Sequence, residues 1–363
     1  MVNKGIANLV NSLIVCMIVF MTASSSISYN LIDDSLFTNS RYGMIYDALD
    51  TIAVDESLSV VAIGSSQMYK AVNGECLGNN SAIPEAKFYN LGISASRSYT
   101  DMLMIPRLIN SNVDVVMIEV GVNLLFEMKE PIKGYKGDEY LEMRFTIDTM
   151  LQTDSDVGEW VEVILPFHDN WVNTNEIQRT EARQLYSIDG MEIIVNDLLE
   201  IEENEAVHDR QIPEIGTNEW IDYLQKPSWP SSRFERMDAE ARQTYSEEEM
   251  SKSLNYHPRA NGTANHAALD YEVSSLVNAG IKVILVGLPH HPEVISMLPN
   301  GHWDGYNATM RELVDQYDVE MVDLTFSPNW EDHHFSDRNH LDADGREEFC
   351  YRMTPILDNI LGD

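Results

Sequence analysis

The sequence predicts an α/β protein: a parallel five-stranded sheet covered on both faces by helices. Three observations carry the prediction. Five short runs rich in Val, Ile and Leu recur along the chain, from Leu58 to Gly64, Phe88 to Ile93, Val113 to Val120, Lys282 to Pro289 and Glu320 to Leu324. They are continuous apolar stretches, which suits strands buried on both faces. Helical spacing separates them, at Tyr99 to Asn110, Asn265 to Ala279 and Tyr306 to Tyr317, and this alternation is the mark of a parallel sheet. Finally, the first run breaks at Gly64 and passes through Ser65 and Ser66 into a short helix-like stretch, Gln67 to Val72. A serine at the carboxyl end of a strand sits where such sheets gather their chemistry.

In chain order, residues 1–25 hold Lys4, an apolar core from Leu13 to Met21, and small residues after it. This pattern predicts a secretory signal or an uncleaved membrane anchor, with the anchor favoured because no A-x-A site follows. Residues 28–56 are polar, with a lead-in helix expected around Tyr42 to Thr51. The α/β domain is expected to occupy 26–123 and 266–363. Between its third and fourth strands, 124–265 forms a large insertion, too long for a plain loop. It is acidic, contains Trp160, Trp171, Trp220 and Trp229, and reads as mostly helical. It follows a strand's carboxyl end, so a lid or substrate platform is expected, with a structural or oligomerisation insert as the other reading.

With 363 residues, 44% of them hydrophobic and 9% aromatic, the chain can build an ordinary core. Its 59 Asp and Glu outnumber 24 Lys and Arg, a net charge of −35. Such a surface repels phosphate backbones, which disfavours nucleic acid as a partner, and it suits salty surroundings. Of the three cysteines, Cys16 lies in the N-terminal apolar run. Cys76 and Cys350 could pair in an oxidising compartment or stay as buried thiols; spacing does not decide. Asn79, Asn261 and Asn307 begin Asn-x-Ser/Thr triplets, acceptors for glycans if the chain is exported.

The late segment Phe335 to Gly345 contains Asp337 and His340, three residues apart. In one turn of loop, that spacing lets a carboxylate face the imidazole and fix its tautomer. A serine hydroxyl needs such a base beside it to attack. Ser66, His340 and Asp337 are therefore the candidate relay. Backbone N–H groups of Ser66 and Gly92 and the side-chain amide of Asn123, all at strand ends, are the candidate oxyanion donors. The N–H of Gly92 is expected to be bare.

On these residues the chain resembles the SGNH/GDSL hydrolase family. The resemblance rests on Gly64-Ser65-Ser66, Asn90-Leu91-Gly92, Gly121-Val122-Asn123 and Asp337-Arg338-Asn339-His340, in that order, with Leu341 and Gly345 following. It covers roughly 58–123 and 281–360, and not the insertion. Two positions depart: Ser65 stands where the family has an acidic residue, and Leu124 where an Asp often follows the Asn. The Gly-Ser-Ser form is similar to a membrane-anchored branch that handles acyl groups on surface polysaccharides. The resemblance implies a three-layer flavodoxin-like fold, an acyl-enzyme on the serine, and no metal or other cofactor. The expected substrate is a small-molecule or glycan acyl ester, and the expected site is extracytoplasmic, with the N-terminal segment at the membrane.

Two other function classes remain at this point. His290-His291, His333-His334 and His340 together could make a metal site, and so a metal-dependent hydrolase. The same fold could also serve a non-catalytic surface protein that binds a glycan or a partner.

Overall fold

A computed structural model of the protein describes residues 11–15, 48–54, 57–93, 96, 98–121, 217–225, 264–297, 303–327, 329–337 and 339–362. The chain divides into two compact units. One comprises Met1–Ile45, Glu142–Gln152 and Asn170–Gln211; within it only 11–15 is described, as exposed helix. The other comprises Tyr46–Leu141, Thr153–Asp169 and Ile212–Asp363, and it holds the sheet and the candidate site. Most of the expected N-terminal anchor and of the 124–265 insertion, including Trp160, Trp171 and Trp229, lies outside the described residues. Among the described residues, no helix is long and apolar enough to cross a membrane.

Five strands form one sheet, β1 (Ser59–Ile63), β2 (Lys87–Asn90), β3 (Val115–Val120), β4 (Lys282–Gly287) and β5 (Glu320–Asp323). Their order is β2-β1-β3-β4-β5, and every pairing is parallel. All five expected runs became strands, each trimmed by one or more residues, with β2 also starting one residue early, at Lys87. The composition explains why: all residues of β1 and β3 are buried, and Val and Ile fit a pleated surface covered on both sides. Each such side chain contributes about 1.5–3 kcal/mol when taken from water.

The helices follow from the order. They are α1 (Ser66–Ala71), α2 (Gly74–Asn80), α3 (Ser98–Asp101), α4 (Ile105–Asn110), α5 (Asn218–Gln225), α6 (Ala264–Asn278), α7 (Pro292–Met297), α8 (Asp304–Tyr317) and α9 (Ala343–Gly362). From β1 the chain steps to β2 on one side, and from β2 to β3 on the other. Right-handed crossovers then put α1 and α2 on one face and α3, α4, α6 and α8 on the opposite one. The core agrees. Val60, Ala62, Phe88, Val115, Met117, Ile284 and Val286 pack in one cluster with Met68, Ala71, Leu77, Phe349, Met353 and Leu357 of α1, α2 and α9. The alternate strand positions Val61, Val116, Ile118, Val283 and Leu285 are equally buried, on the other face. There α6 contacts β4, α3, α4 and α8.

The helix expected over Tyr99 to Asn110 is broken. A 3₁₀ turn, Met102–Met104, separates α3 from α4. Pro106 stands at the start of α4; it has no N–H to give the carbonyl of Met102, and the Ile105 N–H bonds that carbonyl instead.

Cys76 and Cys350 form a disulfide joining α2 to α9. Of the two readings left open by the sequence, the paired one holds.

A pair of acids is buried between α3 and α6. Glu272 is 0% exposed and neither carboxyl oxygen has a hydrogen-bond partner. Asp101 is 2% exposed and accepts a hydrogen bond from Ser96 Oγ. Burial pushes both carboxyls well above their ordinary range; the charge of Asp101 raises Glu272 further, and that of Glu119 raises Asp101. A raised folded-state pKa stabilises the fold below the ordinary carboxylate range, and that contribution is lost as pH climbs toward the raised value. Glu272→Gln should therefore raise Tm more at pH 8 than at pH 5, read by thermal unfolding of both proteins at both pH values. An equal difference at the two would count against a neutral Glu272.

Candidate active site

The site is built at the carboxyl ends of β1 and β3, where the strand order reverses and an open α/β sheet leaves a crevice. Leaving β1, the backbone turns at Gly64, whose φ of +146° excludes ordinary side chains and whose Cβ would lie 2.4 Å from Glu119 Cβ. The close neighbour anchors the turn. Glu119, 2% exposed near the end of β3, accepts from the Ser65 N–H at 2.6 Å, Ser65 Oγ–H at 2.8 Å and the Met68 N–H at 3.2 Å. A carboxylate placed on the first-turn amides of α1 complements the helix dipole and locks the turn. Ser65 Oγ in turn accepts from the Gln67 N–H at 3.2 Å, capping α1.

This geometry holds Ser66 at the first position of α1, half-buried. Its Oγ lies 2.7 Å from His340 Nε2. On the far side of the ring, His340 Nδ1 lies 2.8 and 2.7 Å from the two carboxyl oxygens of Asp337. A carboxylate only accepts, so Nδ1 carries the proton. The lone pair of Nε2 then faces the serine hydroxyl.

Asp337 is held by its own loop. The N–H groups of Asn339 and His340 both donate to Oδ1 at 2.9 Å. Burial raises the Asp337 carboxyl, but the hydrogen bond and charge of His340, the Asn339 N–H and the charge of Lys70 outweigh it, and the net pKa is lowered. The loop is closed at its base by an antiparallel bridge between Phe335 and Leu341, with the Ser336 N–H donating to the His340 carbonyl at 2.8 Å.

Three of the expected site residues, Ser66, Asp337 and His340, are thus brought together. Gly92 follows β2 and is pressed against the same turn: a Cβ there would lie 2.7 Å from the Tyr69 nitrogen and 3.1 Å from the Ser65 carbonyl oxygen. Its N–H, expected to be bare, instead donates to Asn90 Oδ1 at 3.1 Å. The reason is the placement of Asn90. Its amide nitrogen donates to the carbonyls of Met68, Tyr69 and Val72 at the end of α1, which turns its oxygen toward Gly92. Asn123 lies outside the described residues.

The histidine doublets are spread among separate partners. His291 Nδ1 accepts from the Glu293 N–H at 3.1 Å and Nε2 meets Asp332 Oδ1 at 2.8 Å. His334 Nδ1 accepts from the Glu331 N–H at 3.0 Å, and burial and the neighbouring His333 lower its pKa. His290 packs on Trp303, with ring centroids 5.7 Å apart. Among the described residues, no group of three or more His, Cys, Asp or Glu is arranged to hold a metal ion.

Sequence reasoning missed Glu119 and Lys70. Glu119 is the one charged residue in the run from Val115 to Val120, and a carboxylate amid positions buried on both faces had to have partners. Lys70 follows Ser66 at helical i, i+4 spacing, which puts both on one face of α1.

No protein-family model matches the chain, and no curated protein matches it. The five-stranded parallel sheet is consistent with SGNH/GDSL hydrolases and is not specific to them.

Proposed function

We propose that the chain is a serine-dependent esterase or O-acyltransferase of the SGNH type, acting on O-acyl groups of cell-surface glycans through an acyl-enzyme on Ser66. The observation that carries the reading is the 2.7 Å approach of Ser66 Oγ to an imidazole nitrogen whose opposite nitrogen is bonded to a carboxylate. In that arrangement Ser66 Oγ attacks the ester carbonyl carbon while its proton passes to His340 Nε2. Asp337 stabilises the imidazolium. The bond from carbon to the leaving alcohol then breaks, and the alcohol takes the proton back. Water or a sugar hydroxyl, deprotonated by His340, releases the acyl group.

The Ser66 N–H stands at the helix start, with no intrahelical acceptor, so it is free to face a developing oxyanion. Gly92 joins it by sharing its N–H between Asn90 and the oxyanion, and the Asn123 amide is the third proposed donor. The disulfide supports an extracytoplasmic site, consistent with the apolar N-terminal segment and a surface substrate.

A fluorophosphonate probe tests the reading, because it reacts with activated serines and leaves ordinary hydroxyls alone. Wild-type protein should label, peptide mapping should find the adduct on Ser66, and Ser66→Ala should not label. A folded wild-type protein that fails to label rejects the serine mechanism.

A further inference from the structure

Lys70 is 4% exposed, although lysines are almost never that buried without a partner. Its Nζ donates to Ser336 Oγ at 3.1 Å, and Ser336 Oγ donates to the His340 carbonyl at 3.2 Å. Arg346 Nε, from α9, holds the Lys70 carbonyl at 2.7 Å. One buried cation on the serine's own helix therefore reaches the residue next to Asp337, in the loop that carries both the acid and the base.

We propose that Lys70 is a positioning residue for the relay, its buried ammonium docking the Asp337–His340 loop onto the nucleophile helix and balancing the Asp337 carboxylate. This rests on the serine reading given above. Two consequences follow. Without the ammonium, Ser336 loses its partner across the interface, and the Ser66–His340 distance is no longer enforced from the helix side. Positive charge beside the carboxylate is lost as well. The charged groups acting on Asp337 are His340 from its own loop and Lys70 from α1. Both losses follow the cation, so arginine, which keeps the charge, should make them good where methionine cannot.

The test is the rate of fluorophosphonate labelling from pH 5 to pH 9 for wild type, Lys70→Met, Lys70→Arg and Ser336→Ala, with thermal unfolding to confirm that each is folded. Lys70→Met should label about tenfold more slowly than wild type across the range, the order of effect of removing a buried charged hydrogen-bond partner. Lys70→Arg should restore most of the wild-type rate. Ser336→Ala keeps the cation and cuts the link, so it should slow labelling equally at all pH values. A folded Lys70→Met with the wild-type rate overturns the proposal, as does a loss that arginine does not rescue. If Lys70→Met does not fold, wild-type behaviour of Ser336→Ala overturns the docking role. Failure of the wild type itself to label would instead overturn the serine reading beneath it.

Discussion

Replacing His340 by Ala should lower kcat for p-nitrophenyl acetate on the order of 10⁴- to 10⁶-fold, and adding Ser66→Ala to that variant should lower it little further. The reason is that the hydroxyl and the imidazole act as one unit. At 2.7 Å, the ring nitrogen is the only acceptor in the described site placed to take the proton as Oγ bonds to carbon. Without it the serine stays an alcohol, and an alcohol that cannot attack is no better than a methyl group. Asp337→Asn should cost about 10⁴-fold, because an amide beside Nδ1 admits the wrong tautomer and turns a proton toward the serine. Losses that multiplied in the double variant would mean the two groups act independently, and the relay would fail.

Much of this site could be read from sequence because its parts carry strong local signals. The Gly64-Ser65-Ser66 break follows a β-branched run, and Asp337 and His340 are close enough along the chain for spacing alone to pair them. The order of the sheet was not legible. Each strand announced itself by its Val and Ile content, but which strands are neighbours depends on crossover handedness and core contacts that no local pattern carries.

The supports of the site were hidden for a related reason. Glu119 sits in a strand-like run whose pattern says only strand, yet its carboxylate serves Ser65 and Met68, more than fifty positions away. Glu272 shares the helical phase of Ala268, Leu269, Val273 and Leu276, all fully buried. That phase places an acid in an apolar stripe, a signal the sequence does carry. Gly92 shows the opposite failure. Its position just past a strand is legible in the sequence, but its N–H belongs to a side chain two residues earlier, whose orientation is set by the end of α1.

The second large effect is expected from the disulfide. Cys76 and Cys350 are 274 residues apart, the same separation as Ser66 and His340, so the bond ties the helix that follows Ser66's own to the helix that follows the His340 loop. Closing a loop of that length removes much of the unfolded chain's freedom; by chain entropy the bond contributes about 5 kcal/mol. Cys76→Ser with Cys350→Ser, or reduction, should lower Tm by roughly 10 °C or more, read by thermal scans with and without a reducing agent. An unchanged Tm would count against the bond. The effect acts on the unfolded chain, whereas Ser66 and His340 are held in the folded one by Glu119, by the 335–341 loop and by the core around Met68 and Phe349. The folded double variant at 25 °C should therefore label with fluorophosphonate at close to the wild-type rate. A labelling rate that fell in step with Tm would mean instead that the disulfide itself sets the distance between nucleophile and base.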